Sequence, residues 1–437
     1  MGEWVRFGKR RVRNSSPLSP NSPRSPNQLP KEVISAGWIS LFTDIASEMA
    51  YPVIPLFLVG VLKAPASALG LIEGVAQALI NVMRAVSGWH SDRIGKRTPY
   101  IRLGYGISAL SRPLLAFAGA WPFVLFARLL DRFGKGVRTT ARDALIADVA
   151  KPGQAGRAFG FHRAMDSAGA VIGSGSSWLL LAVLPGQYRL IFLITAIPAA
   201  IAVWIAFRLK EPEKRDLPEL LHPLPPPPLS ATEARAPKDS SHGKEKEGVP
   251  ELPRSFWLAT LVMSLFALAN SSDTFLLLRA QDLVHSASMV ALLYVLYNIA
   301  YTLLSYPLGA LSDRIGTTTL IVAGWFLYAA VYYGFSLNHE WMPWLLMPTY
   351  GIYMAMTDGV SKALVAKLSP VGSRGTAMGI FYVVTGGAAL LASVVAGMLW
   401  DRVDHQAPFL FGAVVAAISA VLALIILPNA TSRTKLA

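Results

Sequence analysis

Acidic and basic side chains recur inside stretches of this sequence that are otherwise apolar. Asp44 and Glu48 lie four residues apart, which places both carboxyl groups on one face of a helix. A polar stripe runs along the next apolar segment at spacings of four, four and three: Glu73, Gln77, Asn81 and Arg84. Carboxyl groups in apolar segments are typical of proton and ion pathways through membranes. The chemistry that these residues favour is therefore proton or ion transfer.

Further charged and amide side chains occur in other apolar segments: Arg112, Arg132, Asp166, Asp273 and Asn298. Each charge near the centre of a bilayer costs about 2.5 to 3.5 kcal/mol, so these groups must pair or line a water-filled cavity. We interpret Arg84, Arg112, Asp166, Asp273 and Asn298, with Gln77 and Asn81, as polar residues of such a cavity. We interpret Asp44, Glu48 and Glu73 as proton-coupling groups. The alternative is a buried ion pair with Arg84, Arg112 or Arg132.

The composition indicates that these residues lie within a lipid bilayer. Of 437 residues, 53% are hydrophobic and 15% are charged, which is typical of an integral membrane protein. The chain has no cysteine, which excludes disulfides and thiolate metal sites, and its seven histidines show no ligand spacing. We therefore expect neither a metal nor another cofactor.

Twelve apolar segments are long enough to cross a hydrocarbon core as helices, at roughly 20 residues each. The sequence thus predicts an all-α membrane protein with two pseudo-symmetric bundles of six helices. The predicted organisation comprises a disordered tail, a first bundle, a linker rich in proline and charge, a second bundle and a short second tail: residues 1–32, 33–209, 210–254, 255–428 and 429–437.

Lysine and arginine are concentrated in the first tail, in the loop after the second segment and in the linker. The intervening loops hold at most one each: Lys63, Arg189, Arg279 and Arg402. Because positive loops stay in the cytoplasm, both termini and the linker are predicted to be cytoplasmic, in a multi-pass protein of the inner or plasma membrane. The formal net charge of +14 is explained by this orientation, and we expect no nucleic-acid partner.

One charged turn occurs twice, after the second segment of each predicted bundle. The first copy reads GWHSDRIGKR and the second, about 220 residues later, reads GALSDRIG. Its residues are Gly88, Asp92, Arg93, Gly95, Lys96 and Arg97 in the first copy and Gly309, Asp313, Arg314 and Gly316 in the second. A repeat of this length indicates that one module was duplicated.

Pairs of glycines four residues apart begin the fifth and eleventh segments: Gly156 and Gly160, and Gly375 and Gly379. Small residues at this spacing let helix backbones approach closely within lipid. We predict that these four glycines are packing residues, and a direct substrate role is the less favoured alternative.

These features together resemble the major facilitator superfamily, whose signature in the loop after the second helix is Gly-x-Leu-x-Asp-Arg-x-Gly followed by two basic residues. A second family motif resembles Arg132-Phe-Gly-Lys-Gly136. The family's antiporter motif is only partly kept, because Gly169, Gly173 and Gly175 are present without the proline. The stretches FTDIASEMAYPVIP and DRFGKGVRTTARDALIADV resemble a prokaryotic group with no assigned substrate.

The resemblance implies alternating access, with a substrate bound near the midplane between the two bundles. It implies that the duplicated turns form a gate that breaks and re-forms, whereas the alternative role for Asp92 is to cap a helix end. It also implies that Arg132 acts on a proton-carrying acid, Asp44 or Glu48.

From these observations we expect a secondary transporter of a small organic solute, coupled to protons, with efflux by antiport favoured over import of an anionic or zwitterionic metabolite by symport. A non-transporting receptor or scaffold is an alternative of another class. An enzyme is not expected, since the sequence contains no nucleotide-binding, zinc-protease or Ser/His/Asp motif. The expected partners are the solute, protons and the lipid bilayer, and we expect a monomer.

Overall fold

A computed structural model describes residues 29–150, 155–211, 252–369 and 374–432 of the chain. These residues form helices and connecting turns without any strand, which confirms the all-α prediction. We number the long helices α1 (Lys31–Val61), α2 (Ala66–Ile94), α3 (Thr98–Ala116), α4 (Trp121–Val149), α5 (Ala155–Val183), α6 (Tyr188–Arg208), α7 (Arg254–Val284), α8 (Ala287–Ile315), α9 (Thr317–Ser336), α10 (Met342–Leu368), α11 (Arg374–Arg402) and α12 (Ala407–Ser432).

Eight of these helices are apolar and long enough to cross a membrane by length and composition alone. The other four, α3, α4, α5 and α10, are of similar length but more polar. Three of them, α3, α4 and α5, belong to the first half of the chain, where the sequence places most of its intramembrane charges. The polar helices therefore carry several of the charged side chains of the candidate site, and the apolar helices carry the rest.

Two of the helices are interrupted within their spans. In α1 the regular helix ends at Ala50, and the chain continues through Val53–Pro55 into a π-helical turn, Leu56–Val61, because proline removes the backbone donors that an α-helix needs. In α7 the interruption covers residues 270–273, where serine, asparagine and aspartate side chains compete for backbone hydrogen bonds. Both interruptions lie beside the cavities described below.

The helices form two groups of six that meet along two helix pairs, α2 with α11 and α5 with α8. We call the end of the bundle that carries Gly95 and Gly316 the motif face, and the end that carries residues 62–65 and 403–406 the opposite face. At the opposite face α2 and α11 touch backbone to backbone. A Cβ atom on Gly397 would lie 2.5 Å from the Cα of Ser67, and one on Gly70 would collide with the carbonyl of Ser393.

A carboxylate strengthens this contact. Asp401, at the end of α11, accepts hydrogen bonds from the backbone N–H groups of Ala66 and Ser67 at 2.8 Å each. These donors belong to the first turn of α2, where N–H groups have no partner within the helix. The two halves are thus closed against each other at the opposite face.

The glycine prediction was wrong for Gly160 and Gly379. No atom lies within 4 Å of the place where a Cβ would stand on either glycine, and Gly160 is exposed on a part of α5 where its neighbours are exposed as well. The side-chain surroundings of Gly156 and Gly375 lie outside the described residues. Close packing of α5 occurs instead at Gly169 and Gly173, against the backbone of α1.

Candidate functional site

A cavity of about 750 Å³ lies between the two halves. Its first-half wall includes Gln77, Asn81 and Arg84, the polar stripe of α2. Asp143 and Lys362, with side chains 45% and 48% exposed, also line it and mark its mouth toward the motif face. Since the opposite face is closed, the cavity is open on one side only.

The second-half wall of this cavity is largely aromatic and apolar. Phe266 of α7 stacks on Trp325 of α9 with ring centroids 4.4 Å apart and planes nearly parallel, and Tyr353 of α10 completes the group. Met354 and Phe381 extend the apolar surface. The first-half wall is polar, and the second half adds aromatic rings beside polar groups such as Asp358 and Lys362, a combination that suits an amphipathic solute.

Within the first half, buried charges form a network between α2, α3 and α4. Arg128 binds Glu73 through hydrogen bonds of 2.6, 2.8 and 3.0 Å. Asp131 lies 3.6 Å from Arg112 and 3.8 Å from both Arg128 and Arg132. Glu73 therefore lies in a buried ion pair with Arg128, a residue that the sequence-based site did not include, and this is the structural alternative to its proton-coupling role.

Next to this network lies a smaller pocket of about 190 Å³, which we call the basic pocket. Its charged lining consists of four cationic side chains, Arg112, Arg128, Arg132 and Lys135, and two anionic ones, Glu48 and Asp131. Hydroxyl groups of Ser47, Ser111, Tyr51 and Tyr294 complete its polar surface.

Glu48 connects the two halves of the molecule. The hydroxyl group of Tyr294, on α8, donates a hydrogen bond of 2.6 Å to Oε2 of Glu48 on α1. The ring of Tyr294 stacks between those of Tyr51 and Tyr297, with centroid distances of 5.4 Å on both sides. A proton-coupling candidate of the first half is thus in direct contact with the second half.

Asp44 on α1 and Asp166 on α5 lie close enough for their carboxyl groups to share a hydrogen bond. Asp166 also accepts a hydrogen bond from Ser40 and lies 3.4 Å from Arg163. Two carboxyl groups can share a hydrogen bond only when one of them carries a proton. This pair is therefore a place where a proton can be held inside the first half.

The sequence-predicted residues do not all meet in one place. Asp273 accepts a hydrogen bond of 2.6 Å from Tyr350, and Asn298 is buried and donates to the carbonyl of Tyr294 one turn earlier in α8. Asp273, Asn298 and Asp166 are not among the lining residues of the two cavities described above, so their role as cavity residues stays a prediction.

The duplicated turn makes its described contacts within the first half. Gly95 ends α2 with a positive φ of 68°, and Arg97 binds Ser91 at 2.9 Å and Asp148 at 3.4 Å. Glu211 accepts hydrogen bonds of 2.7 Å from the backbone of Arg97 and Thr98 at the start of α3. The remaining described residues of the two copies are placed as follows: Arg93, Lys96 and Arg314 are exposed, Gly88 packs on Thr140, Gly309 has open space beside it, and Gly316 has a φ of 96°.

The side chains of Asp92 and Asp313 lie outside the described residues. The gating role of the turn therefore stays a prediction.

Some residues of the network were absent from the sequence-based site. Arg128, Asp131 and Lys135 share a face of α4 with Arg132 through spacings of three and four, so a helical pattern marked them. What the pattern did not give is the partner of each, since partners on separate helices depend on helix rotation. Tyr294 was visible in sequence as one of several aromatic residues, without a signal for its bond to Glu48.

The fold and the cavity define the class of a helical membrane transport protein with two halves around a central cavity. The Major Facilitator Superfamily model matches residues 37–278 and 255–437. An uncharacterised MFS-type transporter of Methanocaldococcus jannaschii is 34% identical over 407 residues, which are 91% of this chain and 96% of that protein. The multidrug resistance protein MdtH of Yersinia pestis is 25% identical over 341 residues, 76% of this chain and 77% of that protein.

Among solved structures, the D-xylose-proton symporter superposes with a TM-score of 0.69 at 17% identity, covering 92% of this chain and 98% of that one. The nucleoside transporter NupG gives a TM-score of 0.69 at 13% identity, covering 90% and 99%. These likenesses define the fold. The chain belongs to the major facilitator superfamily, a family of transporters rather than enzymes.

Proposed function

We propose that this protein is a proton-coupled secondary transporter of an amphipathic small organic solute, working by alternating access with efflux by antiport. The observation that carries the proposal is the cavity of about 750 Å³, open toward the motif face and lined by polar groups of both halves and by aromatic rings of the second half. Substrate sites between the two halves of such transporters suit a rocking motion that exposes them to each side in turn.

Proton coupling is supported by the two acids of α1. Asp44 lies close enough to Asp166 to share a hydrogen bond when one of the two carboxyl groups carries a proton, and Glu48 contacts the second half through Tyr294. One proton that moves down about 100 mV and one pH unit releases roughly 3.7 kcal/mol, enough for a solute gradient of about 500-fold. A single titrating acid is therefore sufficient as a driving element.

The direction of transport rests on weaker support. The resemblance to a multidrug resistance protein and the partly kept glycine motif of α5 favour efflux. The excess of cations in the basic pocket favours the second candidate, symport of an anionic solute into the cell. Both candidates use the same cavity and the same acids.

The concentration of Lys and Arg in the loops supports a placement in the cell membrane with the motif face in the cytoplasm. In that orientation the present conformation faces inward. We further propose that a monomer is sufficient, since each chain carries both halves of the cavity.

The test uses purified protein in liposomes with a pH-sensitive dye trapped inside. Candidate solutes are added under an imposed pH gradient, and a solute that is coupled to protons changes the internal pH only where the protein is present. Asp44→Asn and Glu48→Gln should each reduce this flux, whereas Asp282→Asn, which alters an acid at the opposite face, should not. If both α1 variants keep concentrative, pH-driven transport, the assignment of the proton site is wrong.

A further inference from the structure

Lys135 is the unexplained charge of the basic pocket. Its ammonium group makes no hydrogen bond and no ion pair within 4 Å among the residues that the structure describes. Three arginines and two acids act on it through space: Arg84, Arg132, Arg138, Asp44 and Glu48. Because a buried cation that lacks a hydrogen-bonded acceptor is costly, the fold keeps a cation that packing alone would not select.

The acids nearby are already engaged. Glu73 is bound by Arg128, Asp131 is surrounded by three arginines, Asp44 lies against Asp166, and Glu48 accepts the hydroxyl hydrogen of Tyr294. Arg132 reaches its acids only at 3.8 and 3.9 Å, beyond hydrogen-bond distance. Among the described residues, Arg132 and Lys135 thus present donors without hydrogen-bonded acceptors to the same pocket.

The size of the pocket fits a small ligand. Its 190 Å³ would hold about six water molecules at roughly 30 Å³ each, which is room for a single oxyanion group with some of its water. Four cations against two anions, with hydroxyl groups between them, favour a negatively charged occupant whose oxygens accept hydrogen bonds.

We infer that the basic pocket binds one oxyanion group, a carboxylate or a phosphate, with Lys135 as its principal ligand and Arg132 beside it. This inference rests on the proposed transport function in that the anion is taken to belong to the solute. A free inorganic anion offers the same chemistry, and the experiment separates the two sources.

The experiment measures thermal unfolding of the purified protein while inorganic phosphate, or separately benzoate, is titrated at constant ionic strength in potassium chloride. A ligand that binds the native state raises the melting temperature as its concentration passes Kd. Binding of benzoate supports a solute carboxylate as the source, and binding of phosphate alone supports an inorganic anion. The absence of any effect from either anion would overturn the inference.

Variants locate the site. Lys135→Gln should weaken the apparent affinity roughly 10- to 100-fold, the loss expected for one hydrogen bond to a charged group. Without an added anion this variant should melt no lower than the wild type, because the buried cation that it removes has no hydrogen-bonded acceptor. Lys135→Arg keeps the charge and should retain binding.

The matched control is Lys63→Gln, which removes a lysine of the opposite face that lines neither of the two cavities. It should leave the effect of the anion unchanged. Equal losses in Lys135→Gln and Lys63→Gln would mean general charge screening and would overturn the assignment to the basic pocket.

The two proposals fail separately. Proton-coupled flux in liposomes without any effect of anions on unfolding leaves the transport function standing and removes the anion pocket. Anion binding that depends on Lys135, without proton-coupled flux, leaves the anion pocket standing and removes the transport function.

Discussion

Tyr294 donates its hydroxyl hydrogen to Glu48 across the boundary between the two halves, at 2.6 Å. The two residues are separated by 246 positions in the chain. Because Glu48 is a proton-coupling candidate, protonation at this position would be felt directly by the helix that carries Tyr294. The bond therefore offers a physical link between a proton and the relative position of the halves.

Tyr294→Phe should shift the conformational equilibrium away from the state open at the motif face. A hydrogen bond to a charged group contributes about 1.5 to 3 kcal/mol. Here the bond stabilises the state in which the opposite face is closed and the motif face is open. The sequence contains no cysteine, so a single cysteine at Ser361, in the cavity wall, reports access from the motif face. Its labelling rate should fall in the variant.

The matched control for this prediction is Tyr297→Phe. Tyr297 stacks on Tyr294 at 5.4 Å, and no hydrogen bond of its hydroxyl group is found within the described part of the chain. Its hydroxyl should be dispensable for labelling at position 361. An equal effect of the two substitutions would assign the change to ring packing and not to the bond with Glu48.

Asp401→Ala should loosen the opposite face. The carboxylate binds two N–H groups at the start of α2, and loss of such a cap costs about 1 kcal/mol, which corresponds to roughly a fivefold change in equilibrium. Ser393 is 3% exposed and lies against Gly70 on the same interface. A cysteine at position 393 should react about five times faster with a thiol reagent when Asp401 is replaced.

Asp404→Ala provides the control, because Asp404 also accepts two backbone hydrogen bonds, from Gln406 and Ala407, but caps α12 within its own half. It should lower thermal stability without changing the reactivity at position 393. Faster labelling in both variants would show that general destabilisation exposes the interface.

The sequence predicted the helices and much of the first-half site, since both follow from local patterns. The spacing of Gln77, Asn81 and Arg84 marks one face of α2, and that face lines the cavity. The partner of each charge could not be predicted from the sequence. Glu73 forms its hydrogen bonds with Arg128 rather than Arg132 because of the way α2 and α4 are rotated against each other. A pattern on one helix specifies its own face but not the residue opposite.

Loss of one partner of the ion pair between Glu73 and Arg128 should destabilise the protein strongly. Both side chains are buried, and breaking a buried pair costs about 3 to 5 kcal/mol. In Glu73→Gln, Arg128 loses its hydrogen-bonded carboxylate and, among the described residues, keeps only Asp131, at 3.8 Å. Glu73→Gln should therefore lower the melting temperature markedly, and adding Arg128→Gln should recover part of the loss.

The comparison for this prediction is Lys362→Gln, which breaks a pair whose lysine side chain is 48% exposed. Exposed pairs contribute about 0 to 1 kcal/mol, so the melting temperature should change little. If Glu73→Gln were as mild as Lys362→Gln, water or a rearranged arginine would have to reach the pair, and the description of a buried ion pair would be wrong.

Replacement by alanine should have opposite effects on stability at two glycines of α5, Gly173 and Gly175. A Cβ on Gly173 would lie 2.6 Å from the carbonyl oxygen of Ile45 and 2.9 Å from the Cβ of Glu48, whereas Gly175 has open space beside it. Gly173→Ala should destabilise the protein by about 1 to 3 kcal/mol, because α5 must move off α1.

Gly175→Ala should be neutral or stabilise by up to about 1 kcal/mol through helix propensity. Thermal unfolding of both variants measures the difference, and proton flux in liposomes adds a second readout. Since α1 carries Glu48 at this contact, Gly173→Ala should also reduce flux at temperatures where the protein is still folded. Equal stability of the two variants would contradict the close approach of α1 and α5, and with it the position that the structure gives to Glu48.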